Sequence, residues 1–289
     1  RALDLADQVQ VIHGDGYDGH PQNGLYDRII VTCGIAGIPP HWLDQLADGG
    51  MILAPLAHAG VHPIFAARRA DDGELSTRVA MWGDFMQATG NLRPAELFHH
   101  NPADDLPAEQ LRPVDGTGTG LTATEYNNLW VYLGTADNRI TRAYLAGTEL
   151  DPRRGPCALV DSTDGAAWIH HDGGVTLAGA EHLRDRLMML VGQWEHLHRP
   201  AVTAWTIDFR HADTGAAGLL LPHRWHLSPT TADPSRTNGP ALPLGTRPLC
   251  VLGMPMRANT RRAANNASAA APDGSPPGGD CARRCTALR

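Results

Sequence analysis

Asp15 and Gly16 are the first residues of the chain that could form part of a ligand site. They follow an alternating run rich in β-branched residues over residues 8–13, which predicts a strand. Ligands of open α/β sheets lie beyond the carboxyl ends of the strands. A carboxylate at such an end accepts hydrogen bonds well, and a glycine lets the backbone approach a flat ligand. The alternative is that Asp15 only caps a turn.

A second strand-like run ends in residues that would form the neighbouring wall of such a site. Residues 27–33 are almost continuously apolar, the pattern of a strand buried on both faces of a parallel sheet. Thr32 and Cys33 end this run, so we expect them to line the same pocket as Asp15. Cys33 is small enough to pack there, and this interpretation is preferred to a nucleophilic role.

The elements around these residues alternate between strand and helix, which predicts an α/β doubly wound sheet. A helix is expected to begin at Pro39-Pro40, to carry Leu43 and Leu46 on its inner face and to end at Gly49-Gly50. An antiparallel hairpin with an Asp-Gly turn then closes the unit near residue 90. The predicted strands cover residues 8–13, 27–33, 51–54, 64–69 and 77–86.

The order and spacing of these signals closely resemble the latter half of protein-L-isoaspartate O-methyltransferases. The resemblance covers about residues 1–90 and implies a Rossmann-like methyltransferase fold. The residues that carry it are Gly14-Asp15-Gly16, Tyr26-Asp27-Arg28-Ile29, Ile38-Pro39, Gln45-Leu46, Gly49-Gly50, Phe85-Met86 and Thr89-Gly90.

This resemblance implies S-adenosyl-L-methionine as the cofactor and the carboxylate of an L-isoaspartyl residue in a damaged protein as the substrate. It also implies that Asp15 accepts a hydrogen bond from the adenine amino group and that the Gly16 amide approaches the ring edge. Thr32 and Cys33 would line the cofactor pocket, although the family usually has small alanines after that strand. No catalytic residue is identified, because an ionised carboxylate needs alignment and desolvation more than a base.

Three features of the family are missing from the residues at hand: its glycine-rich loop, its acidic ribose-binding residue and its serine-containing substrate loop. All would precede the matched segment, and Arg1 to Ala6 is typical of a helix already under way, so we expect an inactive fragment. Without the glycine-rich strand, the strand over residues 8–13 would expose an unpaired edge. We therefore expect residues 1–289 alone to bind the cofactor no better than about millimolar and to methylate nothing.

Beyond residue 90 the pattern changes. Residues 91–120 are predicted to be a linker, residues 121–229 an α+β accessory module and residues 230–289 a disordered tail. Thr122 followed by Glu125 predicts a capped helix start. The elements expected in the module are helices over residues 122–133 and 180–197 and strands over residues 158–160, 167–170 and 202–209.

Composition argues against several other functions. The net charge of −7, with no dense basic stretch in the first 230 residues, is unlike a nucleic-acid-binding protein. The most apolar stretch, residues 51–67, is interrupted by prolines and histidines and predicts no membrane span. The histidine pairs lack a second half at ligand spacing, so no metal site is expected. All 24 basic residues are arginines, which excludes a lysine Schiff base, and five scattered cysteines are typical of the cytoplasm.

Three functions follow from this sequence. The first is a cytoplasmic protein carboxyl methyltransferase that repairs L-isoaspartyl residues. The second is a tailoring enzyme that methylates an aspartate in a peptide and uses the accessory module for recognition. The third is a non-catalytic remnant that only binds. The sequence leaves the oligomeric state open.

Overall fold

The computed structural model describes residues 9–69, 75–97, 110–144, 156–214, 217–228 and 249–252. The predicted α/β class is confirmed, with a large mixed sheet and a smaller antiparallel α+β layer. The helices are α1 (Pro40–Asp44), α2 (Ala123–Ala136) and α3 (Glu181–His196). The strands are β1 (Tyr26–Val31), β2 (Leu46–Pro55), β3 (Ile64–Arg69), β4 (Leu75–Met81), β5 (Arg112–Val114), β6 (Ile140–Arg142), β7 (Cys157–Asp161), β8 (Gly165–Ile169), β9 (Val175–Gly179), β10 (Trp205–Thr214), β11 (Ala217–Leu227) and β12 (Leu249–Leu252).

The first sheet has seven strands in the order β11-β10-β4-β3-β2-β1-β12. β1 lies between two parallel neighbours, β2 and β12, and its apolar side chains Ile29 and Val31 are buried. The predicted hairpin is confirmed, since β3 and β4 pair in antiparallel fashion. The carboxyl ends of β2, β1 and β12 therefore meet at one edge of the sheet.

Two predictions around the first strands were wrong. Residues 9–13 form no strand, and Val11 is 71% exposed; the edge of β1 that does not pair with β2 is paired with β12. The helix after Pro39 is also much shorter than expected, because α1 ends at Asp44 and Leu46 already begins β2. Pairing of Leu46 with Tyr26 of β1 thus outweighs the local helical signal around Leu46, and β3 pairs with β2 only further along, from Ile52 to Pro55.

β12 lies inside the segment predicted to be a disordered tail. Its register with β1 aligns Arg28 with Leu249 and Val31 with Leu252. Cys250 and Leu252 are 1% and 3% exposed, so these few residues contribute to the core. Composition missed them because a four-residue strand hardly changes the average of a segment rich in proline, glycine and alanine. The rest of the predicted tail, apart from β12, lies outside the described residues.

The second sheet has five antiparallel strands in the order β5-β9-β8-β7-β6. The predicted capping box is present, since Glu125 N donates to the Thr122 side chain and Thr122 N donates to the Glu125 carboxylate. α3 buries one stripe of large side chains against this sheet and α2, each contributing about 1.5–3 kcal/mol. This stripe is the one predicted: Leu183, Leu187, Leu190, Val191 and Trp194.

The predicted linker and accessory module do not form a unit separate from the first sheet. β5 comes from the linker and pairs with β9, whereas β10 and β11 from the module extend the first sheet beyond β4. One continuous core cluster includes Phe65 of the first sheet, Leu129 of α2 and Leu177 of the second sheet. The two sheets are therefore packed as one body.

Candidate functional site

The carboxyl edge of the parallel strands is marked by Thr32, which follows β1. Its backbone N–H donates to the Leu252 carbonyl at 2.8 Å, and its hydroxyl donates to the same oxygen at 3.2 Å. The residue itself is exposed. Thr32 thus fastens the end of β12 to the end of β1 and lies where a ligand of a parallel sheet is expected.

Asp15 lies in a turn rather than at the end of a strand. Its carboxylate accepts a hydrogen bond from Tyr17 N at 3.1 Å and caps the short 3-10 helix Gly16–Asp18, in which Gly16 is buried. The capping role weighed from the sequence is therefore present. It is compatible with ligand binding, because a carboxylate has several lone pairs and Asp15 is only half-buried.

The turn after Asp15 is fixed by contacts that the sequence does not reveal. The Tyr17 carbonyl accepts from His41 Nε2 at 2.6 Å and from Trp42 Nε1 at 2.8 Å, both on α1. The Tyr17 hydroxyl donates to the Gly218 carbonyl at 3.2 Å on β11. The candidate cofactor turn is thus held between α1 and a strand from the far side of the sheet.

Cys33 begins a buried, extended segment that runs to Ile38. Cys33 is 5% exposed, and the next residue, Gly34, donates to Met86 O and accepts from Ala88 N, each at 2.7 Å. Further along, Ile38 exchanges two backbone hydrogen bonds with Leu220 of β11. This packing agrees with the structural role expected for Cys33.

A polar cluster that sequence reasoning missed lies beside Gly34. The Nδ1 atom of His62 is 3.7 Å from a carboxylate oxygen of Asp84, and the other oxygen of Asp84 accepts from a terminal nitrogen of Arg142 at 2.7 Å. We call these three residues the joint cluster, because Arg142 comes from β6 of the second sheet. Three separate segments supply them, so no local motif could have revealed the cluster.

The joint cluster reaches the carboxyl end of β1 through the His62 ring. A Cβ atom at Gly34 would lie 2.5 Å from His62 Nε2, so only glycine leaves room for the ring at this position. The side chain of His62 is 4% exposed, against 42% for Asp84 and 25% for Arg142. His62 is therefore the buried end of the cluster, and Asp84 and Arg142 are the two members that reach solvent.

The electrostatics of the joint cluster favour a neutral imidazole. Burial lowers the pKa of His62 below 6.5; the Asp84 carboxylate opposes this, and the guanidinium groups of Arg142 and Arg93 add to it. Among the described residues the buried Nδ1 atom has no hydrogen-bond partner, since 3.7 Å is too long for a hydrogen bond to Asp84. Within the described ranges no group of three or more side chains is placed to hold a metal ion.

Comparison with known proteins gives a family for the first third of the chain. The family model described as protein-L-isoaspartate(D-aspartate) O-methyltransferase matches residues 1–93. Over residues 1–93 the chain resembles this methyltransferase family. The matched segment ends after β4 and the Asp84 loop, so it contains two members of the joint cluster, His62 and Asp84. Arg142, β10, β11 and β12 lie beyond it.

Individual relatives support the same segment. The protein-L-isoaspartate O-methyltransferase of Halorhodospira halophila is 44% identical over 71 residues, which are 25% of this chain and 32% of the relative. That of Hyperthermus butylicus is 38% identical over 73 residues, 25% of this chain and 30% of the relative. That of Thermococcus sibiricus is 50% identical over 50 residues, which are 17% of this chain and 23% of the relative. The chain thus spans about a third or less of the length of these methyltransferases.

A solved structure titled protein-L-isoaspartate O-methyltransferase was also matched. It is 21% identical, and the match covers 72% of this chain and 58% of that one, with a TM-score of 0.28. A TM-score this low supports no argument about the fold. None of the helices described is both long and apolar enough to span a bilayer.

Proposed function

We propose that this chain carries part of an S-adenosyl-L-methionine-dependent protein carboxyl methyltransferase that acts on L-isoaspartyl residues. The observation that carries the proposal is the family match over residues 1–93, which includes β1, β2 and the carboxyl edge at Thr32. Protein repair, a protein or peptide partner and a cytoplasmic location are parts of the same proposal. They rest on the resemblance and on the cysteine content.

The candidate residues predicted from the sequence are compatible with a bound nucleoside. Gly14 has no heavy atom within 4 Å of the position that a Cβ would take, Asp15 is half-buried, and Thr32 is exposed. Asp15 and Gly16 would hold the adenine, while Thr32 and Cys33 would lie along the neighbouring wall. When bound, S-adenosyl-L-methionine supplies an activated methyl group.

The chemistry asks little of the protein in the way of proton transfer. The substrate carboxylate is ionised at neutral pH and is already nucleophilic, so no general base is required. What the chain must provide is alignment of the carboxylate and exclusion of water. We therefore assign no catalytic residue and look for groups that would position an anion.

The peptide-tailoring alternative also has an observation in its favour. β10 and β11, which follow the matched segment, join the first sheet at β4, and Ile38 bonds to Leu220 of β11. Residues outside the family match are thus built into the methyltransferase sheet. Such additions are where a different peptide specificity would reside.

Mass spectrometry of methyl transfer tests both candidates. A chain extended upstream is incubated with S-adenosyl-L-methionine and matched peptides that contain L-isoaspartate, L-aspartate or asparagine at one position. Methylation of the isoaspartyl peptide alone supports repair, and methylation of the aspartyl peptide supports tailoring. Binding of a peptide without any methyl transfer would leave the non-catalytic alternative.

A further inference from the structure

The joint cluster lies next to the wall that would hold the cofactor if the proposed function is right. His62 packs on Gly34, which directly follows the Thr32-Cys33 wall, and Gly34 is hydrogen-bonded to Met86 and Ala88. Asp84 and Arg142 continue from His62 towards solvent. The cluster therefore connects the proposed cofactor edge with the protein surface.

Arg142 is held in place from several sides. One terminal nitrogen donates to Asp84 at 2.7 Å, the other donates to the Tyr144 hydroxyl at 3.3 Å, and the guanidinium carbon lies 5.7 Å from the centre of the Trp130 ring. Its neighbour Gly60 leaves no room for a Cβ against the Arg142 backbone. An arginine fixed in this way loses little further entropy when it binds a carboxylate.

The charges near His62 favour the binding of an anion, although the chain as a whole is negatively charged. Among the described residues, Arg142 and Arg93 act on His62 as cations, and Asp84 acts on it as a carboxylate. The chain carries a net charge of −7, which would repel an acidic peptide elsewhere. A local excess of positive charge at the carboxyl edge of β1 is therefore a specific feature.

The surface around the cluster has the composition of a peptide-binding patch. Tyr144 is 56% exposed beside Arg142, and Met86 is 64% exposed two residues after Asp84. Tyrosine, methionine and arginine are the residue types enriched at the centres of protein interfaces. An extended peptide could contact both side chains while one of its carboxylates reaches Arg142.

We propose that Arg142 binds the methyl-accepting carboxylate of a peptide substrate and that Asp84 and His62 position Arg142 for this role. The proposal rests on the function proposed above, but it places a specificity-determining residue in the second sheet, outside the family match. The buried His62 gives Asp84 a fixed neighbour on the side away from Arg142. A substitution that neutralises or removes the Asp84 carboxylate would therefore remove one of the contacts that fix the Arg142 guanidinium group.

The test measures binding of two labelled hexapeptides to the full chain by fluorescence anisotropy. The peptides differ at one position, which is L-isoaspartate with a free α-carboxylate in one and the corresponding α-carboxamide in the other. We expect the carboxylate peptide to bind about tenfold more tightly or better, as for a hydrogen bond to a charged group. Arg142→Gln should remove this preference, and Arg142→Lys should restore part of it.

Arg112→Gln is the matched control. Arg112 also lies on an edge strand of the second sheet and pairs with a carboxylate, that of Glu181 at 2.6 Å, and its substitution should leave the preference intact. Thermal unfolding of each variant separates loss of the fold from loss of the site. If Arg142→Gln does not fold, Arg142→Lys still decides, because an undiminished preference in that variant contradicts a role for the guanidinium group in binding the carboxylate.

Two outcomes overturn the proposal: equal binding of the two peptides by the native chain, or an unchanged preference in Arg142→Gln. Failure of the proposed function has a different signature. In that case the Arg142-dependent preference is present, but no methyl group is transferred to either peptide. Conversely, methyl transfer with the same KM in the native chain and in Arg142→Gln would support the function and reject the site.

Discussion

His58 links the two sheets and makes their packing sensitive to pH. Its Nε2–H donates to the Val131 carbonyl of α2 at 2.9 Å, and its ring lies 4.1 Å from the Trp225 ring on β11. Gly134 on α2 leaves no room for a Cβ beside the His58 ring. These neighbours surround much of the imidazole with groups that solvate a positive charge less well than water does.

The size of the effect follows from the pKa of His58, which burial lowers from 6.5 to about 4 against the opposing effect of the Val131 hydrogen bond. Above pH 6.5 the histidine is neutral in both folded and unfolded chains. Between pH 6.5 and about 4 only the unfolded chain takes up the proton, so the free energy of unfolding falls with pH. At 1.36 kcal/mol per pH unit the loss reaches about 3 kcal/mol, an upper limit for a half-buried residue.

The assay is urea unfolding of the native chain and of His58→Gln at several pH values between 4 and 7. Glutamine can still donate to the Val131 carbonyl but does not titrate, so the curve of stability against pH should be flatter in the variant. His223→Gln, at an exposed position on β11, controls for the substitution itself. Parallel curves for the native chain and His58→Gln would refute a buried, neutral His58.

Three further predictions concern single side chains. Leu252→Ala should lower the free energy of unfolding by about 2–4 kcal/mol, because Leu252 is 3% exposed; a loss below 0.5 kcal/mol in urea unfolding would mean that β12 does not pack on β1. Asp15→Ala should weaken S-adenosyl-L-methionine binding by about 1.5–3 kcal/mol in a chain extended upstream, and unchanged calorimetric affinity would leave Asp15 only its capping role. Asp137→Asn should destabilise by about 2 kcal/mol at pH 7, because hydrogen bonds from Arg139, opposed by burial and aided by Arg186, lower the Asp137 pKa from 3.8 to about 2. That contribution is present above pH 4 and is lost as pH falls towards 2, so the native chain and the variant should converge in acid.

The elements that the sequence predicted well are those with strong local signals. The capped start at Thr122 and the stripe from Leu183 to Trp194 depend on spacing within one helix, and both are present in the structure. The strand over residues 27–33 was recognised because a continuous apolar run needs burial on both faces. These signals survive because nothing in the tertiary structure competes with them.

The elements that the sequence missed are determined by pairing across long separations. Val251 pairs with Ile30 more than two hundred residues away, and no periodicity in four residues reveals such a partner. The run over residues 9–13 has the composition of a strand but finds no neighbour. The joint cluster also depends on residues that are far apart in the sequence, since His62, Asp84 and Arg142 meet only when both sheets are in place.

β12 also changes the argument about the cofactor pocket. The weak binding expected from the sequence assumed that the family's glycine-rich strand would pair with a strand over residues 8–13, whose edge is open without it. In the described residues the edge of β1 is instead paired with β12, and Thr32 bonds to Leu252 where the two strands end. Residues 9–13 form no strand, so the open edge assumed for that strand is not present in the described residues. The free edge of β1 is closed by pairing from within the chain, and this pairing holds the carboxyl end of β1 in place without the family's glycine-rich strand.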